Sequence, residues 1–377
     1  MARPDDRPLR RLPTLEPRKA TLERCVFCPK LCRSACPVSN AEPRETLTPW
    51  GKMSTAYFVA NESVAAAPAF AAPAWACSGC FGCREHCDHE NDVTGTLYDA
   101  RSALVAAGVA PPAAVRVLDR FDETARSLGK NARELSVLRE VRENDSSGTA
   151  VLMGCAYARK APSVTRDAVR SLAKLGGKPV SVLDVCCGAP LLQAGDAKRF
   201  RQQGEMLAQA VKHKDQVVVL DAGCASTLRV HYANIGIGTI APVLHFAEVV
   251  ARDLGQLERV DGDTLPPGPV RWHDTCQLGR GLGVYDAPRA ILGRALGRAP
   301  DEFERRREDA RCSGGGGLMP VTMPDVARTM AEDRLADHTR NGGGTVVTAC
   351  ASSLRSFDKA GAKTVDLATV VARALGL

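Results

Sequence analysis

The sequence has no run of about 18 or more apolar residues, the length a bilayer-spanning helix needs, so no segment is expected to cross a membrane. The nearest approach, VAAAPAFAAPAWAC, is broken by prolines and dominated by alanine. The opening residues, MARPDDRPLRRLPTLEPRKA, contain acids and prolines but no apolar signal-peptide segment, so no export is expected. That argues against a disulfide framework, because disulfides persist mainly in oxidising compartments. Aromatic residues make up only 5% and the net charge of +7 is spread along the chain, so no nucleic-acid surface is expected. No G-x-G-x-x-G follows a strand-like run, and Gly314 to Gly317 lack the Lys-Ser/Thr of a phosphate-binding loop. Neither a flavin nor an NAD site is therefore expected in this chain.

Cysteine, by contrast, is abundant, with 15 in 377 residues. A chain this long exceeds one compact core and suggests two or three domains. In a chain that is not exported, dense thiols point to metal binding or catalysis. Residues 1–20 read as a disordered, Pro/Arg-rich arm. Residues 21–110 hold two dense cysteine runs and end in NDVTGTLYDARSALVAAG, a capped helix. Residues 111–147 have helical apolar spacing and form a connector closing on the turn-like ENDSSG.

The second run, CSGCFGCREHCD, reads C-x2-C-x2-C-x3-C through Cys77, Cys80, Cys83 and Cys87. This is the spacing of bacterial ferredoxin segments, in which three cysteines hold one cubane and the fourth ligates its neighbour. The partner run contains Cys25, Cys28, Cys32 and Cys36, followed by Pro37. It carries one extra residue between Cys28 and Cys32, which predicts a bulge, and Asp88 stands where proline is usual in the second run. The spacing assigns Cys25, Cys28, Cys32 and Cys87 to one [4Fe–4S] cluster and Cys77, Cys80, Cys83 and Cys36 to another. Two structural zinc sites are the alternative, with His86 and His89 available as ligands. Zinc needs only four ligands and usually separates its Cys pairs by a longer loop, so iron–sulfur clusters are favoured and both histidines are expected in solvated loops.

Residues 148–262 and 263–377 form an internal duplication, joined through the linker DGDTLPPGP. Strand-like runs end on cysteine in TAVLMGC, PVSVLDVCCG and QVVVLDAGC, and again in PVRWHDTC and TVVTAC. Cys155 and Cys276, Cys186 and Cys312, and Cys224 and Cys350 are separated by roughly 120–126 residues each. Strand–helix alternation predicts mostly parallel α/β sheets, whose carboxyl ends gather functional groups on one rim. The expected fold class is α+β: a mainly helical dicluster ferredoxin-like domain followed by two duplicated α/β domains.

The motifs CCGAPLL, HDTCQLGR, CSGGGGL and TACASS, with the spacer TPWGKMSTAY, resemble the cysteine-rich CCG-domain iron–sulfur proteins. That family includes heterodisulfide reductase catalytic subunits. It also includes iron–sulfur subunits of glycolate oxidase, lactate-utilisation and anaerobic glycerol-3-phosphate dehydrogenases. The resemblance implies a lone Cys, a Cys-Cys-Gly and a C-x-x-C in each copy, five thiolates that can hold a non-cubane [4Fe–4S] cluster. Copy one keeps Cys155, Cys186, Cys187 and Cys224 but has Thr227 at the last place. Four thiolates suffice for one additional [4Fe–4S] or non-cubane cluster. Copy two keeps Cys276, Cys312 and Cys350, with Ser313 and Ser353 in place of two thiols. Hydroxyls are poor substitutes on iron, so copy two is not expected to hold the five-ligand kind.

Other thiol roles remain open. Cys186 and Cys187 could exchange as a redox pair, although vicinal disulfides are strained. Cys312 and Cys350 could be inert core residues. The glycines after Cys312 are expected to bring backbone N–H groups close to sulfur. NGGGT at 341–345 reads as a helix cap leading into a strand. His273 is the candidate proton-handling residue, because imidazole titrates near neutral pH, with a structural hydrogen bond as its alternative.

The expected function is an electron-transfer subunit of a heterodisulfide-reductase-like or flavoprotein-linked dehydrogenase complex. An FAD-bearing or other redox subunit is the expected partner, with quinone or a membrane redox protein beyond it. Location is expected to be cytoplasmic, with any membrane association supplied by a partner. A catalytic disulfide reductase using a non-cubane cluster, and a metal-bearing sensory or binding module, are the alternatives.

Overall fold

Alternation of strand-forming and helix-forming segments after residue 148 produces two parallel sheets in the computed structural model, which describes residues 8–142, 148–238, 241–260, 265 and 268–377. In the first, β1 (Thr149–Leu152), β2 (Ser181–Leu183), β3 (Gln216–Val219) and β4 (Val243–His245) run in the order β2-β1-β3-β4. In the second, β5 (Val270–Trp272), β6 (Asp301–Glu302), β7 (Thr345–Thr348) and β8 (Thr364–Asp366) run β6-β5-β7-β8. The two orders are the same, so the sequence duplication is a structural one. The expected fold class is observed: a mainly helical N-terminal part, then two α/β repeats with parallel sheets.

Two packing units divide the chain, and neither is continuous in sequence. The first comprises the described residues to Phe121 together with Pro190–Phe200 and Arg311–Asp333. The second comprises Asp122–Ala189, Arg201–Ala310 and Arg334–Leu377, and holds both sheets. Cys312 and its glycines therefore pack with the first unit.

In the first unit, helices Lys19–Val26, Pro49–Ala60 and Val93–Ala106 enclose a core that includes Leu22, Met53, Tyr57, Trp75 and Leu97. Thr48 and Asp92 cap the latter two helices, accepting from the amides of Gly51 and Gly95. The disordered arm expected over residues 1–20 requires correction from residue 8 onward. Leu9, Leu12 and Leu15 are buried, and Pro13–Arg18 forms a 3₁₀ turn leading into Lys19–Val26. Only Leu15 lies within the turn, but all three leucines join the core of this unit, which the surrounding Pro and Arg obscure in composition. Residues 1–7 lie outside the described residues, as do most of ENDSSG and most of DGDTLPPGP. The connector forms helices Pro112–Asp119 and Phe121–Ser136.

In the second unit, Pro162–Gly176 packs on Leu367–Ala374, so the two repeats share a helical interface. Valines of β1 and β3 are wholly buried, as parallel strands covered on both faces require. NGGGT behaves as its composition predicts. Gly342, Gly343 and Gly344 have φ of +89°, +64° and +97° and lead from helix Pro324–Arg340 into β7. A Cβ on Gly344 would sit 2.1 Å from the Pro269 carbonyl oxygen.

Candidate iron–sulfur sites

The first cysteine run enters on the last turn of Lys19–Val26, which carries Cys25, and continues through a 3₁₀ turn, Leu31–Ala35, that carries Cys32. Lys30 takes a left-handed conformation, φ +69°, and absorbs the extra residue between Cys28 and Cys32. Phe81, directly after Cys80 in the second run, is also left-handed, at φ +60°. Cys36 is the N-cap of Pro37–Ala41 and faces the second run.

Cys36, Cys77, Cys80 and Cys83 line one small cavity, together with Lys52 and Phe81. One thiol from the first run and three from the second thus meet around a single space. Burial and the neighbouring thiols Cys77, Cys80 and Cys36 push the Cys83 thiol well above its ordinary range. Cys25, Cys28, Cys32 and Cys87 form the other group. Cys25 is pushed up to about 12 by burial, opposed by a hydrogen bond from Asn91 and reinforced by Cys32, Cys87 and Cys28. Cys32 is pushed up to about 11 by burial, Cys87 and Cys28. Thiols in this condition keep their protons until a cation replaces them, so metal binding here is coupled to proton release. His86 and His89 are both exposed. Among the described residues, no three Cys, His, Asp or Glu side chains converge on a point fit for a single metal ion. A gap lined by four thiols fits an iron–sulfur cluster held by four thiolates.

The charge around the cavity supports the same fit. Lys52 is 2% exposed, and its Nζ donates to Cys36 Sγ at 3.3 Å. Burial works against the ammonium, but the nearby Cys36, Cys77 and Cys83 push it up, so it stays protonated. Arg101 is 0% exposed and donates to the carbonyls of Ala74 (2.9 Å), Cys77 (2.8 Å), Gln193 (2.7 Å) and Gly317 (3.3 Å). Among the described residues, no carboxylate pairs with either cation. Two buried cations without carboxylates are costly unless negative charge lies nearby, and a cluster held by four thiolates supplies it.

The glycine run makes a close backbone approach of its own. A Cβ on Gly317 would lie 2.1 Å from the Cys77 carbonyl oxygen, and one on Gly316 would lie 2.5 Å from that of Ser78. This close approach is to the backbone of the second cysteine run. Cys312 and Ser313 are buried in the same unit.

In the second unit, β1, β2 and β3 end level, with Leu152 in register with both Leu183 and Val219. The loops beyond them bring Cys155, Cys186, Cys187 and Cys224 together at the carboxyl rim. Sγ of Cys155 and Cys186 are 3.5 Å apart, and those of Cys187 and Cys224 are 3.1 Å apart. All four are buried. Asp221 accepts from the amides of Gly223 and Cys224, and from Ala351 of the other repeat at 3.2 Å. Burial raises its carboxyl above the usual range. Tyr232 donates to the Cys187 carbonyl at 2.9 Å and Gln203 to that of Cys186 at 2.9 Å. Thr227 Oγ1 donates to the Gly223 carbonyl at 2.7 Å, so its hydroxyl is already engaged with the backbone.

The second repeat is thinner. Cys276 lies beyond β5 and Cys350 beyond β7, where burial and Asp221 push the Cys350 thiol up to about 12. His273 is buried, accepts at Nδ1 from Arg334 Nε at 3.3 Å, and stands edge-on to Phe357 at 4.8 Å. Burial and the charges of Arg334 and Arg280 push its pKa well below the ordinary imidazole value. It is neutral near pH 7 and built into the core.

Sequence reasoning missed Arg101, Asn91 and Asp221. Asn91 is buried and donates to Cys25 Sγ and to the Thr21 carbonyl, both at 2.9 Å. Nothing in local sequence marks Arg101 and Asn91, because their partners are remote in the chain, whereas Asp221 caps the amides of its own loop, Gly223 and Cys224.

Comparison with known proteins agrees with this arrangement. A family model described as "4Fe-4S dicluster domain" matches residues 21–91, and one described as "Cysteine-rich domain" matches residues 149–229 and 270–357. The chain belongs to the CCG-domain iron–sulfur family. Among its relatives in this family, a subunit of the fumarate reductase (CoM/CoB) of Methanothermobacter marburgensis is 28% identical over 87% of this chain and 66% of that protein. A subunit of the dihydromethanophenazine:CoB--CoM heterodisulfide reductase of Methanosarcina barkeri is 26% identical over 98% of this chain and 99% of that protein. A "Probable iron-sulfur-binding oxidoreductase FadF" of Bacillus subtilis is 28% identical over 65% of the chain and 37% of that protein. No described helix is long and apolar enough to cross a membrane.

Proposed function

We propose that this chain is the iron–sulfur electron-transfer subunit of a heterodisulfide-reductase-like or flavoprotein-linked dehydrogenase complex. Cys25, Cys28, Cys32 and Cys87 hold one [4Fe–4S] cluster, and Cys36, Cys77, Cys80 and Cys83 hold a second. Cys155, Cys186, Cys187 and Cys224 hold a third group of cubane or non-cubane type. Such clusters supply one-electron uptake and release. The chain's own contribution is to ligate them, exclude water and set the surrounding charge. An FAD-bearing or other redox subunit exchanges electrons with the chain, and quinone or a membrane redox protein lies beyond. This reading places the chain in the cytoplasm, with any contact to a membrane made through a partner.

The carrying observation is the cavity in which Cys36 of the first run joins Cys77, Cys80 and Cys83 of the second beside a buried lysine that no described carboxylate neutralises. Sharing a cysteine between runs is the hallmark of a two-cluster segment. Relatives that are themselves subunits of reductases support the partner assignment.

Anaerobic purification with iron and acid-labile sulfide counts tests the reading. Two clusters give about eight irons and a third raises the count to about twelve. A colourless protein containing zinc would refute it. Cys36→Ser is expected to remove the second cluster's signal from reduced-state EPR while leaving the first.

A further inference from the structure

The two cysteine quartets are served by donors of different charge. At the first, the buried Asn91 amide donates to Cys25 Sγ at 2.9 Å, a neutral contact. At the second, the ammonium of Lys52 donates to Cys36 Sγ at 3.3 Å and lines the cavity shared with Cys77, Cys80 and Cys83. Helix Pro49–Ala60, capped by Thr48, holds Lys52 in place. The side chain is almost wholly buried, and no described carboxylate neutralises it. Arg101 adds a second buried cation on the backbone side of the same quartet, through the Cys77 carbonyl at 2.8 Å.

Adding an electron makes a thiolate-bound cluster more negative. A fixed cation in a water-poor site favours the more negative state far more than a neutral amide does. We infer that Lys52 makes the Cys36/Cys77/Cys80/Cys83 quartet the higher-potential member of the pair, giving the two-cluster segment an internal direction. The inference rests on the proposed ligation of both quartets. An electron passing from the Cys25 quartet to the Cys36 quartet oxidises the first by one electron and reduces the second by one. No bond forms or breaks, and Lys52 keeps its proton throughout.

The test is a redox titration of the intact, anaerobically prepared chain monitored by EPR, with iron counted on every sample. Lys52→Met is expected to weaken reduction of the second quartet at least tenfold, a drop of about 59 mV for one electron. The other quartet should move less than twofold. Lys52→Gln, which keeps a donor but no charge, should resemble the methionine variant, and Lys52→Arg should resemble the wild type. A potential unchanged in Lys52→Met at full iron content overturns the inference, as does an equal shift of both quartets. Where the variants lose iron, a Lys30→Arg chain labelled with ¹⁵N-lysine decides, because Lys30 lies in the loop between Cys28 and Cys32 of the other quartet. Coupling to the lysine nitrogen must appear with the signal that is reduced first, and its appearance with the other signal overturns the inference. A wild-type iron count below about eight would instead overturn the two-cluster reading itself.

Discussion

Replacing Arg101 with methionine removes a side chain that ties the second cysteine run to two remote segments of the first unit. Its guanidinium makes three short bonds, to Ala74, Cys77 and Gln193, and a longer one to Gly317. Hydrogen bonds from a charged donor contribute roughly 1.5–3 kcal/mol each, so the three short ones account for about 5–9 kcal/mol. Methionine no longer places a charge in the interior, which returns several kcal/mol. The expected net destabilisation is about 3–4 kcal/mol. For a folding unit of about 150–250 residues, this lowers Tm by roughly 6–15 °C. Scanning calorimetry of the anaerobically prepared full chain reads it directly. Arg101→Lys keeps the charge but loses the planar fork, and should fall between wild type and methionine. A methionine variant within about 1 kcal/mol of wild type would refute the reasoning, because four carbonyls would then have lost their donor at no cost.

Further outcomes are expected at four other positions. Gly317→Ala brings a Cβ to 2.1 Å from the Cys77 carbonyl at a φ of +62°, so it should destabilise by about 2 kcal/mol or more and lower the iron content. Gly176→Ala, which meets open space, should stay within about 1 kcal/mol of wild type. Burial holds the Asp366 carboxyl up at about 7, against an ordinary value of 3.8. Between these values the folded chain keeps a proton that the unfolded chain has lost, so this group's contribution to stability falls as pH rises through the window and is level above it. Urea midpoints should therefore show Asp366→Asn gaining on wild type between about pH 4 and about pH 7, and a constant difference would contradict the sign. Thr227→Ala should leave iron content unchanged, because the hydroxyl already bonds the Gly223 carbonyl, and a loss of iron would make Thr227 a ligand after all.

Much of the architecture is local enough to read directly. Parallel strands, connecting helices and the duplication are written in apolar periodicity and in matched cysteine intervals, and the shared strand order of the two sheets follows from them. The helix that leaves the second cysteine run is likewise visible in its Asp92 cap. The arm over residues 8–20 is not, because three leucines among Pro and Arg look solvated until a core is present to receive them. The packing of Arg311–Asp333 with the N-terminal unit is equally hidden, since consecutive residues in a repeat carry no mark of which body they join.

Sequence alone determined which atoms are available for chemistry: eight thiols in two runs, four more in the first repeat, and hydroxyls where a full set would have sulfur. It could do so because ligand spacing is a property of short chain segments. Only the tertiary structure decided what surrounds those thiols. Lys52, Arg101 and Asn91 act on cysteine loops from positions distant in the chain, and their influence depends on burial and separation. Electrostatic effects of that kind exist once water has been excluded, which is an outcome of packing.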